Sequence, residues 1–266
     1  MAKRYIFVFF IIQMALIPLY NRSSGPIIKK QILDNTVTIT MVALEKMQSS
    51  EAVDEALPIP NDEYRPIVKV ARDVVAEGLG TVVHQGGELL VVTHDHWSLL
   101  ERIKGMVRIS ISSGDQLLEM ELSEFKEFIL YRDGGTMILE ASDWIELGDM
   151  VAVRRINPME LSTSDDRVEL VIGDLVQVVQ RSGLGVVALM QARVERTDQK
   201  AGRGVLKLRI VSGQPLDGGD SGGGVWYRGK LLGNVWTTVI MKDVDTGAEY
   251  PTDMGVAALF PAEYAS

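Results

Sequence analysis

A chain of 266 residues, 46% hydrophobic and 24% charged, has the composition of a folded protein with a sizeable core and not of a disordered one. Its net charge of −9 is at odds with the concentrated lysine and arginine that binding to phosphate backbones requires, so nucleic acid is not an expected partner. The absence of cysteine removes disulfides, thiolate ligands and cysteine nucleophiles, and the 3 histidines, His84, His94 and His96, without a helical His-Glu-x-x-His pattern, give no reason to expect a metal or other cofactor.

Residues 1–22 open with Lys3 and Arg4, followed by an apolar run from Tyr5 to Tyr20. That is the pattern of a signal peptide or signal anchor, and it predicts an exported protein, secreted or held at a membrane through residues 5–20. Residues 23–75 read as a linker with a short helix. "SSGPIIKK" has linker composition, "TITMVALEKMQSSEAVDEAL" has helix-forming composition, and "PIPNDEYRP" ends it. A chain beginning near Val68 is therefore expected to fold without this segment.

From residue 76 onward the text changes to short runs rich in Val, Leu and Ile, separated by Gly, Asp and Ser. "GTVVHQ", "GELLVVT", "MVRISIS", "QLLEMEL", "EFILYR", "TMILEA" and "DMVAVRRI" are followed by "GDLVQVVQ", "GVVALMQARVERT", "GVLKLRIV", "GGVWYRG" and "KLLGNVWTTVIM". About a dozen strands are too many for one small closed barrel, so two six-stranded barrels or one large sandwich are the candidates. The polar interval from Asn157 to Arg167 is a natural passage between two halves.

The stretch "PLDGGDSGGGVW", Pro215 to Trp226, sets 5 glycines around Ser221. Such density marks backbone that takes unusual dihedrals or approaches another group closely. A serine hydroxyl becomes a nucleophile only with a base in hydrogen-bond reach and a third group that orients the base. Histidine suits the base because it gains and returns a proton near neutral pH, and N–H groups of a glycine-rich turn can receive a developing oxyanion.

"GDSGG", Gly219 to Gly223, resembles the nucleophile motif of the chymotrypsin-like (trypsin-like) serine peptidases, and the resemblance extends from Gly78 to Pro261. It implies an all-β fold of two six-stranded antiparallel β-barrels over residues 76–266, preceded here by the hydrophobic segment and the short helix. The implied activity is that of a serine endopeptidase acting on a protein or peptide substrate through a Ser-His-Asp triad and an acyl-enzyme. In the family an apolar strand runs into Thr or Ser and the base follows three positions later. Thr93 closes "LLVVT", which selects His96, with His94 as competitor and His84 set aside at a hairpin. The orienting acid precedes a short apolar strand. Asp133, ahead of "TMIL", has the family's proportions of spacing, and Asp149, ahead of "MVAV", stays as the alternative. Gly219 and Ser221 would supply the oxyanion-hole N–H groups, and Asp220 would brace the turn. No Ile-Val-Gly-Gly start precedes Gly78, so another group must neutralise Asp220. Pro215, six before the serine, gives no support to a preference for Lys or Arg, and Trp236 either narrows the site or turns away from it. A catalytically inactive protease-like binding module is the alternative reading, since fold alone does not fix function.

Overall fold

The computed structural model describes residues 26–43, 76–96, 105–111, 117–142, 159–160, 169–181, 185–200, 203–244 and 246–261. The expected leader, residues 1–22, and Asp149 lie outside the described residues. What is described is almost entirely antiparallel β-structure in two halves, consistent with a chymotrypsin-like double barrel.

The first half is an eight-stranded sheet built from β1 (Thr36–Ala43), β2 (Ala76–Gln85), β3 (Glu88–Thr93), β4 (Gly105–Ile111), β5 (Leu117–Glu121), β6 (Ile129–Arg132), β7 (Met137–Glu140) and β8 (Met159–Glu160). Its order is β5-β4-β1-β2-β3-β7-β6, with β8 pairing parallel to β2. Among the described residues this sheet is a half-barrel. Helix α1, residues 26–34, precedes β1, and the short α2 (Leu122–Glu127) joins β5 to β6 and buries Leu122 and Phe125.

The second half is a closed six-stranded barrel: β9 (Leu175–Arg181), β10 (Val187–Lys200), β11 (Arg203–Ser212), β12 (Gly224–Tyr227), β13 (Lys230–Lys242) and β14 (Glu249–Leu259), in the order β10-β11-β14-β13-β12-β9. Closure leaves no strand edge to satisfy.

One expectation is corrected. Residues 38–43, read as part of a helix within a linker, lie in β1, which runs inside the sheet between β2 and β4. Val37, Ile39 and Met41 are buried at every second position, the period of a strand and not of a helix, and they join the core of the first half. A helix lies earlier, over 26–34, and residues 44–57 of the stretch read as helical lie outside the described residues.

Each half has its own apolar cluster. A third contains Leu79, Val83, Leu90, Val92 and Ile138 of the first half with Val179, Trp226 and Leu231 of the second, capped by Ile32 of α1 and Phe260. This shared core fixes the seam along which the candidate site is built, because interiors at close packing transmit the position of one half to the other.

Candidate active site

Ser221 sits between β11 and β12 in a turn made of successive backbone bonds, with Asp220 N–H on Asp217 O at 3.0 Å and Gly223 N–H on Asp220 O at 2.9 Å. The turn is pressed against the first half. Ser221 O accepts the Leu79 N–H at 2.8 Å, and Leu79 O in turn accepts the Thr93 hydroxyl at 2.6 Å. Gly222, at φ +87, is what permits this approach, since a Cβ there would stand 1.8 Å from Leu79 O and 2.7 Å from Thr93 Oγ1. No side chain fits that space, so this glycine answers to the docking of the two halves.

Thr93 ends β3 and His94, Asp95 and His96 follow it, all nearly buried. His96 N–H donates to His94 Nδ1 at 3.1 Å, and the two imidazole centroids are 4.6 Å apart. Among the described residues His96 Nε2 has no hydrogen-bond partner. Burial pushes the His96 imidazole down to about 4, because a low-dielectric surrounding disfavours the charged form. His94 is held well below the usual value, first by burial and then by His96. His84 is exposed on β2 and takes no part in this group.

The side of the site at the loop before β7 holds two carboxylates and a threonine. Asp133 Oδ1 accepts the N–H groups of Gly135 and Thr136, each at 2.8 Å, which folds the carboxylate back on its own loop. Asp95, which sequence reasoning passed over, braces the same loop: its carboxylate pairs with Arg132 at 3.1 Å and accepts the Gly134 N–H at 2.7 Å. Burial raises the Asp95 carboxyl against the lowering action of the Gly134 N–H and Arg132. Immediately before β7, whose Met137 pairs with Thr93, stands Thr136. It is fully buried, and its hydroxyl donates to Asn234 Oδ1 of β13 at 2.7 Å. Asn234 Nδ2 returns a bond to Gly135 O at 3.0 Å. The signal for Asp95 was a charged residue caught between two histidines at the end of an apolar strand. Nothing in the sequence pointed to the Thr136–Asn234 pair, because it spans 98 residues.

Ser221 Oγ lies 3.5 Å from Trp236 O. Trp236 is the extra residue of a β-bulge in β13, between Val235 and Thr237. Such a bulge re-aims its residue; the indole packs with Val205, Val256 and Ala258. The tryptophan thus turns away from the serine. Among the described residues no acceptor takes the N–H of Gly219 or of Ser221. Gly219 also borders a cleft of about 720 Å³ whose walls include Pro215, Leu216, Thr238, Ile240 and Pro251.

Asp220 is fully buried. In place of a cation it has backbone donors, with Oδ1 accepting the Arg181 N–H at 2.6 Å and Oδ2 the Asp217 N–H at 2.8 Å. Burial outweighs these bonds and pushes the carboxyl up to about 6. Arg181 itself pairs with Glu77 of β2, adding a further link across the seam.

No protein-family model matches the chain, and no curated protein matches it. Among solved structures, the chain is similar to the active form of the Rv3671c protease from M. tuberculosis, at 16% identity, with 87% of this chain and 78% of that one covered and a TM-score of 0.48. The inactive form of the Rv3671c protease aligns at 15% identity over 87% and 86% of the two chains, with a TM-score of 0.46. Deg5 aligns at 15% identity over 82% and 86%, with a TM-score of 0.48.

Proposed function

We propose that the chain is an exported serine endopeptidase. Ser221 Oγ attacks the scissile carbonyl carbon while His96 takes its proton; the C–N bond breaks as His96 returns that proton to the leaving amine. Water, deprotonated by the same imidazole, then attacks the ester and frees Ser221. The N–H groups of Gly219 and Ser221 hold the oxyanion, Asp133 orients the imidazole from the loop that Asp95 braces, and a substrate side chain enters the cleft beside Gly219. Residues 1–22 deliver the protein out of the cytoplasm or tether it to the membrane.

The observation that carries this reading is the docking of the Ser221 turn on Leu79 and Thr93. It sets the Ser221 peptide against β2 beside Thr93, three residues before His96, and among the described residues the N–H groups of Gly219 and Ser221 have no acceptor. His96 is buried and neutral at pH 7, the protonation state a base needs.

One observation favours a second reading, a protease-like binding module. The residue immediately before β7, where the family's acid comes from, is Thr136, and burial is the sole cause of the shift at His96. The experiment is labelling of the full chain with a fluorophosphonate, followed by intact mass, for wild type, Ser221→Ala and His96→Ala. A stoichiometric adduct that disappears in both variants supports the peptidase, and no adduct on folded wild type supports the binding module. Asp133→Asn against Asp149→Asn, measured by the same label, assigns the orienting carboxylate: the larger loss marks it.

A further inference from the structure

His94 follows β3 directly and is 3% exposed, with neighbours on three sides. Its Nδ1 accepts the His96 N–H at 3.1 Å. Its ring edge stands over Gly78 of β2, so that a Cβ on Gly78 would lie 2.4 Å from Nε2 and 2.9 Å from Cδ2. The same Cβ would lie 2.8 Å from Ser221 O. One side chain thus touches the backbone of the candidate base and packs on β2 at Gly78, the residue that also faces the Ser221 carbonyl.

The tautomer follows from the bonding. A neutral imidazole has one N–H donor and one acceptor nitrogen, and Nδ1 is already the acceptor. The proton therefore resides on Nε2, the nitrogen that lies against Gly78. Gly78 has no side chain where this ring lies, and any residue with a Cβ would displace either the ring or the Ser221 peptide.

We propose that His94 is a positioning residue that couples the candidate base to the nucleophile turn, holding the His96 backbone through Nδ1 and the β2–Ser221 seam through its Nε2–H edge. This role rests on the peptidase reading of Ser221 and His96. His94 touches neither substrate nor the reacting oxygen; it acts through the peptides on either side of them. Asparagine can supply an acceptor close to where Nδ1 stands, whereas leucine fills similar space without one.

Two measurements on the full chain test this. In ¹⁵N-histidine-labelled wild type, long-range proton–nitrogen correlation is expected to show His94 as the Nε2–H tautomer, and His94→Leu is expected to displace the His96 ring resonances. An Nδ1–H tautomer, or His96 resonances unmoved by His94→Leu, would overturn the proposal. In the second measurement, the fluorophosphonate labelling rate should fall about tenfold or more in His94→Leu, since misplacement of order 1 Å costs up to about a hundredfold, while His94→Asn stays within about threefold of wild type. Equal rates in wild type and His94→Leu also overturn it. If wild type takes no label at all, the peptidase reading falls on that result, and the tautomer and the His96 displacement still decide the positioning role. If His94→Leu does not fold, the wild-type tautomer and the labelling of His94→Asn decide it.

Discussion

Asp220→Asn removes one titrating group from the buried turn, and its effect on the pH dependence of stability can be worked from the site. Burial raises the Asp220 carboxyl to about 6 from the usual 3.8. A raised carboxyl contributes stability below 3.8 and loses it as pH climbs through about 6, because the folded chain keeps a proton that the unfolded chain has released. His96 runs the other way. Its folded value of about 4 lies below the ordinary 6.5, so between those values the unfolded chain binds a proton that the folded chain refuses, and stability rises with pH. Near pH 5 each group accounts for nearly one proton, with opposite sign, and the two offset; His94 adds to the rising side. Removing Asp220 takes away that opposition and leaves the raised carboxyl of Asp95 on the falling side in both proteins. The slope of unfolding free energy against pH should therefore steepen by nearly one proton, about 1.4 kcal/mol per pH unit around pH 5. Urea denaturation followed by tryptophan fluorescence reads this directly, since Trp226 and Trp236 are buried. The amide will shift the whole curve, because its NH₂ group faces a backbone N–H, but only the slope matters. Parallel curves for wild type and variant between pH 4.5 and 6 would refute the reasoning.

Three further outcomes are expected. Thr136→Val keeps the volume but leaves Asn234 Oδ1 without the donor of a 2.7 Å bond; it should destabilise by about 1–3 kcal/mol in the same denaturation at pH 7, and an unchanged midpoint would show that the pair contributes nothing. A chain beginning at Val68 lacks β1 and should be insoluble, since β2 and β4 lose their shared partner and the core loses Val37, Ile39 and Met41; soluble cooperative folding of that chain would contradict the assignment of β1 to the core. The rate of fluorophosphonate labelling should hold down to pH 5 and fall with an apparent value near 4, because His96 stays neutral above its lowered value; an acid limb near 6.5 would mean that the imidazole is exposed or charge-paired when it acts.

Strands of the second barrel were legible where they are apolar runs bounded by turn residues, as in "GDLVQVVQ" for β9 and "GVLKLRIV" for β11. β1 was not, because the acidic, helix-forming text after it outweighed the alternation of Val37, Ile39 and Met41 that the sheet obeys. "EFILYR", Glu127 to Arg132, holds β6, whereas the short helix just before it, which buries Phe125 in the first core, falls between two runs read as strands. At the site, the turn around Ser221 and the place of His96 just past β3 could be read from local text, since each depends on a few consecutive residues. The residue at the mouth of β7 could not. Gly134 and Gly135 lengthen the loop after Asp133, and only the pairing of Thr93 with Met137 reveals that Thr136 occupies that position. Asp95 was hidden for a related reason: its partners, Arg132 and Gly134, meet it only once β3 and β7 have paired.

The seam at Leu79 and Thr93 orders events during synthesis. Apart from β8, every strand of the first half lies between residues 36 and 140, so that half can gather its core while the barrel is still on the ribosome. Ser221 emerges later, inside the barrel's own sequence, and its turn settles on a peptide group already made. β14, which pairs with β13 in the barrel, appears later still. A nascent chain therefore holds its histidines long before it can hold its serine in place, and the seam is assembled only after the barrel's strands have been made.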